Sequence, residues 1–279
     1  MASTPRRFEE LAAQLKIISD SMASEQASKL PASRARRVRE TLVESYDKLR
    51  QVMDDLDPVK QPGFVFDPSN PKIVGRLIGI TMVAQTRRPL AAVERFYGSG
   101  VYAIYYSGEF PAYQPLSRKE HPIYVGKADP ADTESKTAFQ QGDRLSNRLS
   151  DHRRTVGKAG STLRLDDFEY RALVVQSGWQ ESAENYLIDL FQPIWNNETK
   201  ICYGFGKHGD APETRANLRS PWDTLHVGRD WAHRDPGMKD ARAIDQITSD
   251  IAKHLKDHPP FKSTDQILRT FLDEIRDLS

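Results

Sequence analysis

Apolar positions over the first 57 residues recur at helical spacing. Phe8, Leu11, Leu15, Ile18 and Met22 step by 3, 4, 3 and 4, and Val38, Leu42, Tyr46, Leu49, Met53 and Leu56 step by 4, 4, 3, 4 and 3. Each set draws one apolar stripe on an amphipathic helix. LPASRAR breaks the pattern, with Ser33 in the position of an N-cap. Residues 1–57 therefore read as a helical hairpin. Its stripes need cover, from each other, from the rest of the chain or from a second copy.

Residues 58–69, PVKQPGFVFDPS, carry three prolines and a glycine and read as a linker. Residues 70–84 form a helix that is apolar on nearly every side, which predicts burial. GVYAIYYSG (100–108) and PIYVGKA (122–128) are short β-rich runs joined by a loop rich in proline and aromatics, the pattern of a hairpin. A polar helix follows at 142–156, a third strand at 167–176, and a helix at 180–191 that Pro193 ends. Amphipathic helices at 239–256 and 263–278 close the chain. The fold class is α+β, with a core over 70–235 and C-terminal helices over 236–279.

Composition narrows the function classes. The 279 residues are 38% hydrophobic and 28% charged, which suits a protein with much solvated helix. No run reaches the roughly 18 apolar residues of a membrane helix. MASTPRRFEELAAQL lacks an apolar signal core, so a cytoplasmic protein is expected. A lone cysteine, Cys202, rules out an internal disulfide and a cysteine-rich zinc site. Net charge is +1, so only local basic clusters could point to nucleic acid. Two exist, at 29–39 and 144–158, and on charge alone solvated helix faces account for them better than phosphate contacts do.

Chemistry gathers on the central helices. Arg144, Arg148 and His152 are four apart and share one helical face. Three basic groups in a row gain nothing from a packed core, whereas guanidinium matches phosphate in shape and charge. Glu184 sits near the start of its helix beside an apolar stripe. It is either a helix-start acid held by the dipole or a single hard-oxygen ligand for Mg²⁺. Asn196 and Asn197 follow Pro193 and could hold a phosphate or a water.

Taken in order, GVY at 100–102, YVG at 124–126, Arg148 and His152 on one helix, then Glu184 and Asn196 resemble the GIY-YIG nuclease superfamily. PLAAVERFYGSGVYAIYYSG, PIYVGKADP, CYGFGKHGD and SPWDTLHVGRDWA resemble its type II restriction endonucleases, in the branch that cuts CCGCGG (SacII isoschizomers). Val227 stands where that branch is expected to carry proline.

The resemblance implies an α/β sandwich on a three-stranded antiparallel sheet. It implies a bacterial, Mg²⁺-dependent enzyme that hydrolyses double-stranded DNA. Glu184 would hold the metal, and Arg148 would stabilise charge on the phosphorus. Tyr102 or His152 would take the proton of water, while Tyr124 and Asn196 would position water, phosphate or the glutamate. With the tyrosines in neighbouring strands, Tyr102, Ile104 and Tyr106 share one face and Tyr105 the other. Gly100 and Gly126 would allow a close approach of backbone or substrate. Lys127, Arg144, Lys207, His208, Arg215, Arg219 and Arg229 are the expected DNA contacts, with Trp222 and Trp231 as packing anchors. A palindromic target implies a homodimer or a larger assembly, and a cognate DNA methyltransferase as an unbound functional partner. A nicking homing or repair enzyme, and a DNA-binding protein with a lapsed site, are the rival readings.

Overall fold

The computed structural model describes residues 4–25, 30–59, 65–206 and 218–276. The chain divides into two compact units, Met1–Gly63 and Phe64–Ser279, and the division falls inside the proline-rich stretch 58–69. The smaller unit contains α1 (Thr4–Ser24) and α2 (Ala32–Leu56). Ser33 is not the N-cap. Pro31, with φ −55° and ψ 142°, takes that place without a side-chain bond, and Ser33 lies inside the first turn. The two stripes line a common groove of about 740 Å³ between the helices, yet no residue of α2 is buried.

The larger unit is a three-layer sandwich around a mixed-length antiparallel sheet. In chain order it begins with α3 (Pro71–Val83), β1 (Arg88–Pro89), β2 (Gly100–Tyr106) and β3 (Tyr124–Ala128). Next come α4 (Ala138–Gln141), α5 (Arg144–Lys158), β4 (Phe168–Val174) and α6 (Gln180–Phe191). β5 (Leu218–Arg219), α7 (Pro221–Leu225), α8 (Asp230–His233), β6 (Lys239–Asp240), α9 (Ile244–Asp257) and α10 (Thr264–Arg276) complete it. The main sheet has the order β1-β4-β2-β3, so four strands replace the expected three. The extra strand is two residues long and contains Pro89, which fits only at a sheet edge.

β2 is central and buried along its whole length. Its alternation separates two cores. Tyr102, Ile104 and Tyr106 pack with Leu145, Leu149 and Val156 of α5, with Trp195, Phe205 and Trp222, and with Ile247 and Ile251 of α9. Val101, Ala103 and Tyr105 pack with Met82 and Val83 of α3, with Ala183, Leu187, Ile188 and Phe191 of α6, and with Ile267 of α10. The closing helices are thus layers of this unit. Each fully buried aromatic matters, since truncating one costs about 3–5 kcal/mol.

Asn70 caps α3 by accepting from the Lys72 N–H, with Pro71 in the first turn. α3 then lies so close to α6 that a Cβ on Gly79 would stand 2.6 Å from the Tyr186 ring. The helix expected from 239 starts only at Ile244, because Lys239 and Asp240 pair in parallel with Leu218 and Arg219. Among the described residues, no helix is long and apolar enough to cross a membrane.

Candidate active site

Register on the sheet sets the first part of the site. Tyr102 lies opposite Gly126, and Ile104 lies opposite Tyr124, so the two tyrosines are diagonal neighbours on one face. Their rings are 6.1 Å apart. A Cβ on Gly126 would sit 2.5 Å from the Tyr102 hydroxyl oxygen and 3.0 Å from the Tyr124 ring. Glycine there makes space for the tyrosine side chains. Gly100 serves a different purpose, since its Cβ would meet the Leu173 carbonyl oxygen of β4 at 2.0 Å.

α5 supplies the next groups. Leu145, Leu149 and Val156 anchor it to the sheet and carry His152 into the interior with them. The Tyr102 hydroxyl lies 2.6 Å from His152 Nε2, and both side chains are buried. Phe205 stacks on the imidazole at 4.6 Å and meets the Tyr124 ring edge-on at 5.0 Å. Arg148, one turn before His152, donates from Nη2 to the Gly206 carbonyl at 3.1 Å. Its guanidinium also acts on both tyrosine hydroxyls.

Tyr124 and Arg148 open onto a cleft of about 510 Å³, which Lys127, Arg144, Asp151 and Glu184 also line. Glu184 comes from the first turns of α6. Partial burial pushes its carboxyl up to about 7, only partly offset by the Lys127 charge and backbone N–H, while Glu198 and Asp129 push it further up. A cation bound beside it would offset the burial that raises it. Among the described residues, no group of three or more His, Cys, Asp or Glu could hold a metal. A one-carboxylate site fits Mg²⁺, which keeps most of its waters and takes phosphate oxygens.

Burial, the dominant influence, holds the Tyr102 phenol well above its usual range; Tyr124 adds to this and Arg148 opposes it. Burial raises Tyr124 too, against the pull of Arg148. Both hydroxyls therefore rest protonated. The neighbouring Arg148 does not make Tyr102 acidic in this resting state, because desolvation outweighs it.

Asn196 is buried and spends its amide on the sheet. Oδ1 accepts from the Val125 N–H at 3.0 Å and Nδ2 donates to the Val125 carbonyl at 2.9 Å, with Glu198 a weaker partner at 3.4 Å. It pins β3 between the two site residues Tyr124 and Gly126. Its place is a positioning one.

The expected DNA contacts divide. Lys127, ion-paired with Asp129 at 3.3 Å, and Arg144, whose Nε donates to the Asp129 carbonyl at 3.2 Å, border the cleft. Lys207, His208 and Arg215 lie outside the described residues. Arg219 bonds the Ala232 carbonyl at 3.0 Å and Asp240 at 2.6 Å. Arg229 departs from expectation. It is 3% exposed, pairs with buried Asp223 at 2.6 Å, donates to the Gly204 carbonyl at 2.8 Å, and lies between Trp222 and Trp231. A guanidinium so enclosed is not offered to DNA. It holds the Gly204–Gly206 segment against the site instead.

Phe205 and Gly206 are the site residues that sequence reasoning passed over. The signal was present as an aromatic between two glycines in YGFGK. Tyr106 shares the face of Tyr102 but packs on Phe168 and Tyr113, away from the cleft. Tyr105 points the other way, under Arg87 and Arg171.

The family model for the Eco29kI GIY-YIG domain matches residues 94–255, a span that includes both tyrosine strands, α5, α6 and the Gly204–Gly206 segment. No curated protein matches the chain. The two tyrosines, Arg148, His152 and Glu184 all fall within the matched span, and the chain belongs to the Eco29kI GIY-YIG family of restriction endonucleases.

Proposed function

We propose that this cleft hydrolyses phosphodiester bonds of double-stranded DNA at a palindromic, GC-rich site, with Mg²⁺ and with one active site in each subunit of a homodimer. CCGCGG is the target that the motif resemblance indicates. One observation carries the reading: the Arg148 guanidinium and the Glu184 carboxylate open onto the same cleft as Tyr124, with the Tyr102–His152 pair directly behind.

Arg148 and Lys127 attract the phosphate, and Arg148 stabilises the charge that grows on its oxygens. Glu184 would hold Mg²⁺, which supplies Lewis-acid polarisation of the phosphoryl group and relief of charge on the departing 3′ oxygen. A water reaches the Tyr102 hydroxyl, which is buried in the resting structure, once DNA is bound, and it attacks phosphorus. Tyr102 takes a proton from that water as it gives its own to His152 Nε2, 2.6 Å away. The relay suits a phenol that burial keeps protonated, since no free phenolate has to form. Tyr124 donates a hydrogen bond to the phosphate. The new P–O bond forms as the bond to the 3′ oxygen breaks, and that oxygen takes a proton from solvent, leaving a 5′ phosphate and a 3′ hydroxyl. A cognate methyltransferase would protect the host's own copies of the site.

Digestion of a DNA of known sequence, with and without Mg²⁺, followed by sequencing of the ends, tests this. Discrete double-stranded ends at one GC-rich palindrome, only with the metal, are expected. Nicks in one strand would point to the homing or repair reading. Retained DNA binding without any cleavage would point to a lapsed site.

A further inference from the structure

When Tyr102 passes its proton to His152 Nε2, a positive charge appears on an imidazole that is 2% exposed. Placing a charge there is costly, because water is excluded. Arg148, one turn earlier on the same face of α5, repels that charge. The Tyr102 and Tyr124 hydroxyls are protonated and bring no negative charge. Asp151 and Glu184 line the cleft. Phe205 covers one face of the imidazole: the ring centroids are 4.6 Å apart and the planes differ by 17°. The face of a phenyl ring is the negative side of its quadrupole, so it attracts a planar cation within about 6 Å. A neutral imidazole gains much less from the same contact.

The fold holds Phe205 rigidly in this place. Trp195 and Trp222 lie 4.5 and 5.4 Å from its ring, and the side chain is 1% exposed. Arg229 donates to the Gly204 carbonyl at 2.8 Å and to the Phe205 carbonyl at 3.3 Å, while Arg148 donates to the Gly206 carbonyl at 3.1 Å. Gly204 takes φ +109°, and a Cβ there would run into the Ser220 side chain, so glycine is needed to enter the bend. The ring is therefore set against the imidazole before any proton moves, and no reorganisation is required when the charge develops. We propose that Phe205 is a positioning residue of the relay, whose ring face stabilises the proton that His152 receives and so speeds the activation of water. This role rests on the cleavage reading above and deepens it.

Phe205→Leu would remove the ring and loosen the packing together, so the test alters the ring's charge distribution at nearly constant shape. Phe205 is replaced in the full chain by monofluoro-, difluoro- and trifluorophenylalanine in turn. Single-turnover cleavage of a mapped duplex with Mg²⁺ is measured for each, in the otherwise wild-type chain and in His152→Gln. Every added fluorine draws electron density from the ring face and weakens its hold on a cation. In the wild-type background the rate should fall stepwise, by about 2–30-fold from phenylalanine to the trifluoro ring, with DNA affinity and melting temperature unchanged. In His152→Gln no cation forms at 152, and the slower residual rate should be the same across the series. A packing role alone would give the same response in both backgrounds. A flat series in an enzyme that cuts, or a series that falls equally in the Gln background, would overturn the role of Phe205 and leave the cleavage reading standing. A wild type that cuts no DNA would overturn that reading, and the role of Phe205 with it.

Discussion

The Tyr102 hydroxyl and His152 Nε2 are 2.6 Å apart, sealed between the sheet and Phe205. Neither group is solvent-exposed, so their proton relation is fixed by the fold. Tyr102→Phe and His152→Gln should each slow single-turnover cleavage by about 10²–10⁴-fold, with DNA affinity little changed. The double variant should be no slower than the worse single one, because the two act as a unit. Losses that multiply would assign them independent roles.

Glu184 predicts a pH dependence. Its carboxyl titrates at about 7 in the folded chain, raised first by burial, against about 4.3 when unfolded. As pH rises across that window, the unfolded chain loses a proton that the folded chain keeps, so folded stability falls and then levels off above 7. Without metal, Glu184→Gln should match the wild type near pH 4 and exceed it by about 1–3 kcal/mol at pH 8, after allowance for partial exposure. Mg²⁺ should raise the melting temperature of the wild type at pH 8 and not that of the variant. Cleavage should rise through about pH 7.

Gly126→Ala isolates the reserved space beside Tyr102. The added methyl would lie 2.5 Å from the hydroxyl and must push the ring off His152. Single-turnover rates should fall at least about a hundredfold while thermal stability drops by only about 1–3 kcal/mol. Gly100→Ala meets a backbone carbonyl at 2.0 Å and should chiefly damage folding.

Arg229→Ala separates architecture from DNA contact. Removing one partner of a buried ion pair leaves the Asp223 carboxylate with the Ser220 hydroxyl as its remaining side-chain partner, at a cost of about 3–5 kcal/mol. Denaturant melts should show that loss. The salt dependence of DNA binding should be unchanged, whereas a phosphate contact would lower its slope by about one.

Much of this was legible in the sequence because it rests on period. Alternation in GVYAIYYSG separates Tyr102 from Tyr105, and four-residue spacing places Arg148 and His152 on one face of α5. Glycine beside tyrosine was visible too, although its reasons at Gly100 and Gly126 emerge only from register. Other features depend on tertiary contact. Nothing local marks Arg229 as buried, since the surrounding tryptophans and Asp223 read equally well as a DNA-facing surface. Phe205 reaches His152 across more than 50 residues of chain, and a two-residue edge strand such as Arg88–Pro89 has no period to detect.

The central claim is that this cleft cuts DNA through Glu184, and single-turnover cleavage of a mapped duplex by the wild type and by Glu184→Gln, each with and without Mg²⁺, tests it most directly. The account predicts cuts in both strands at one GC-rich palindrome for the wild type with Mg²⁺ only, and binding without cutting for the variant. Cleavage by the variant at the wild-type rate, or cleavage by the wild type that ignores the metal, would contradict it.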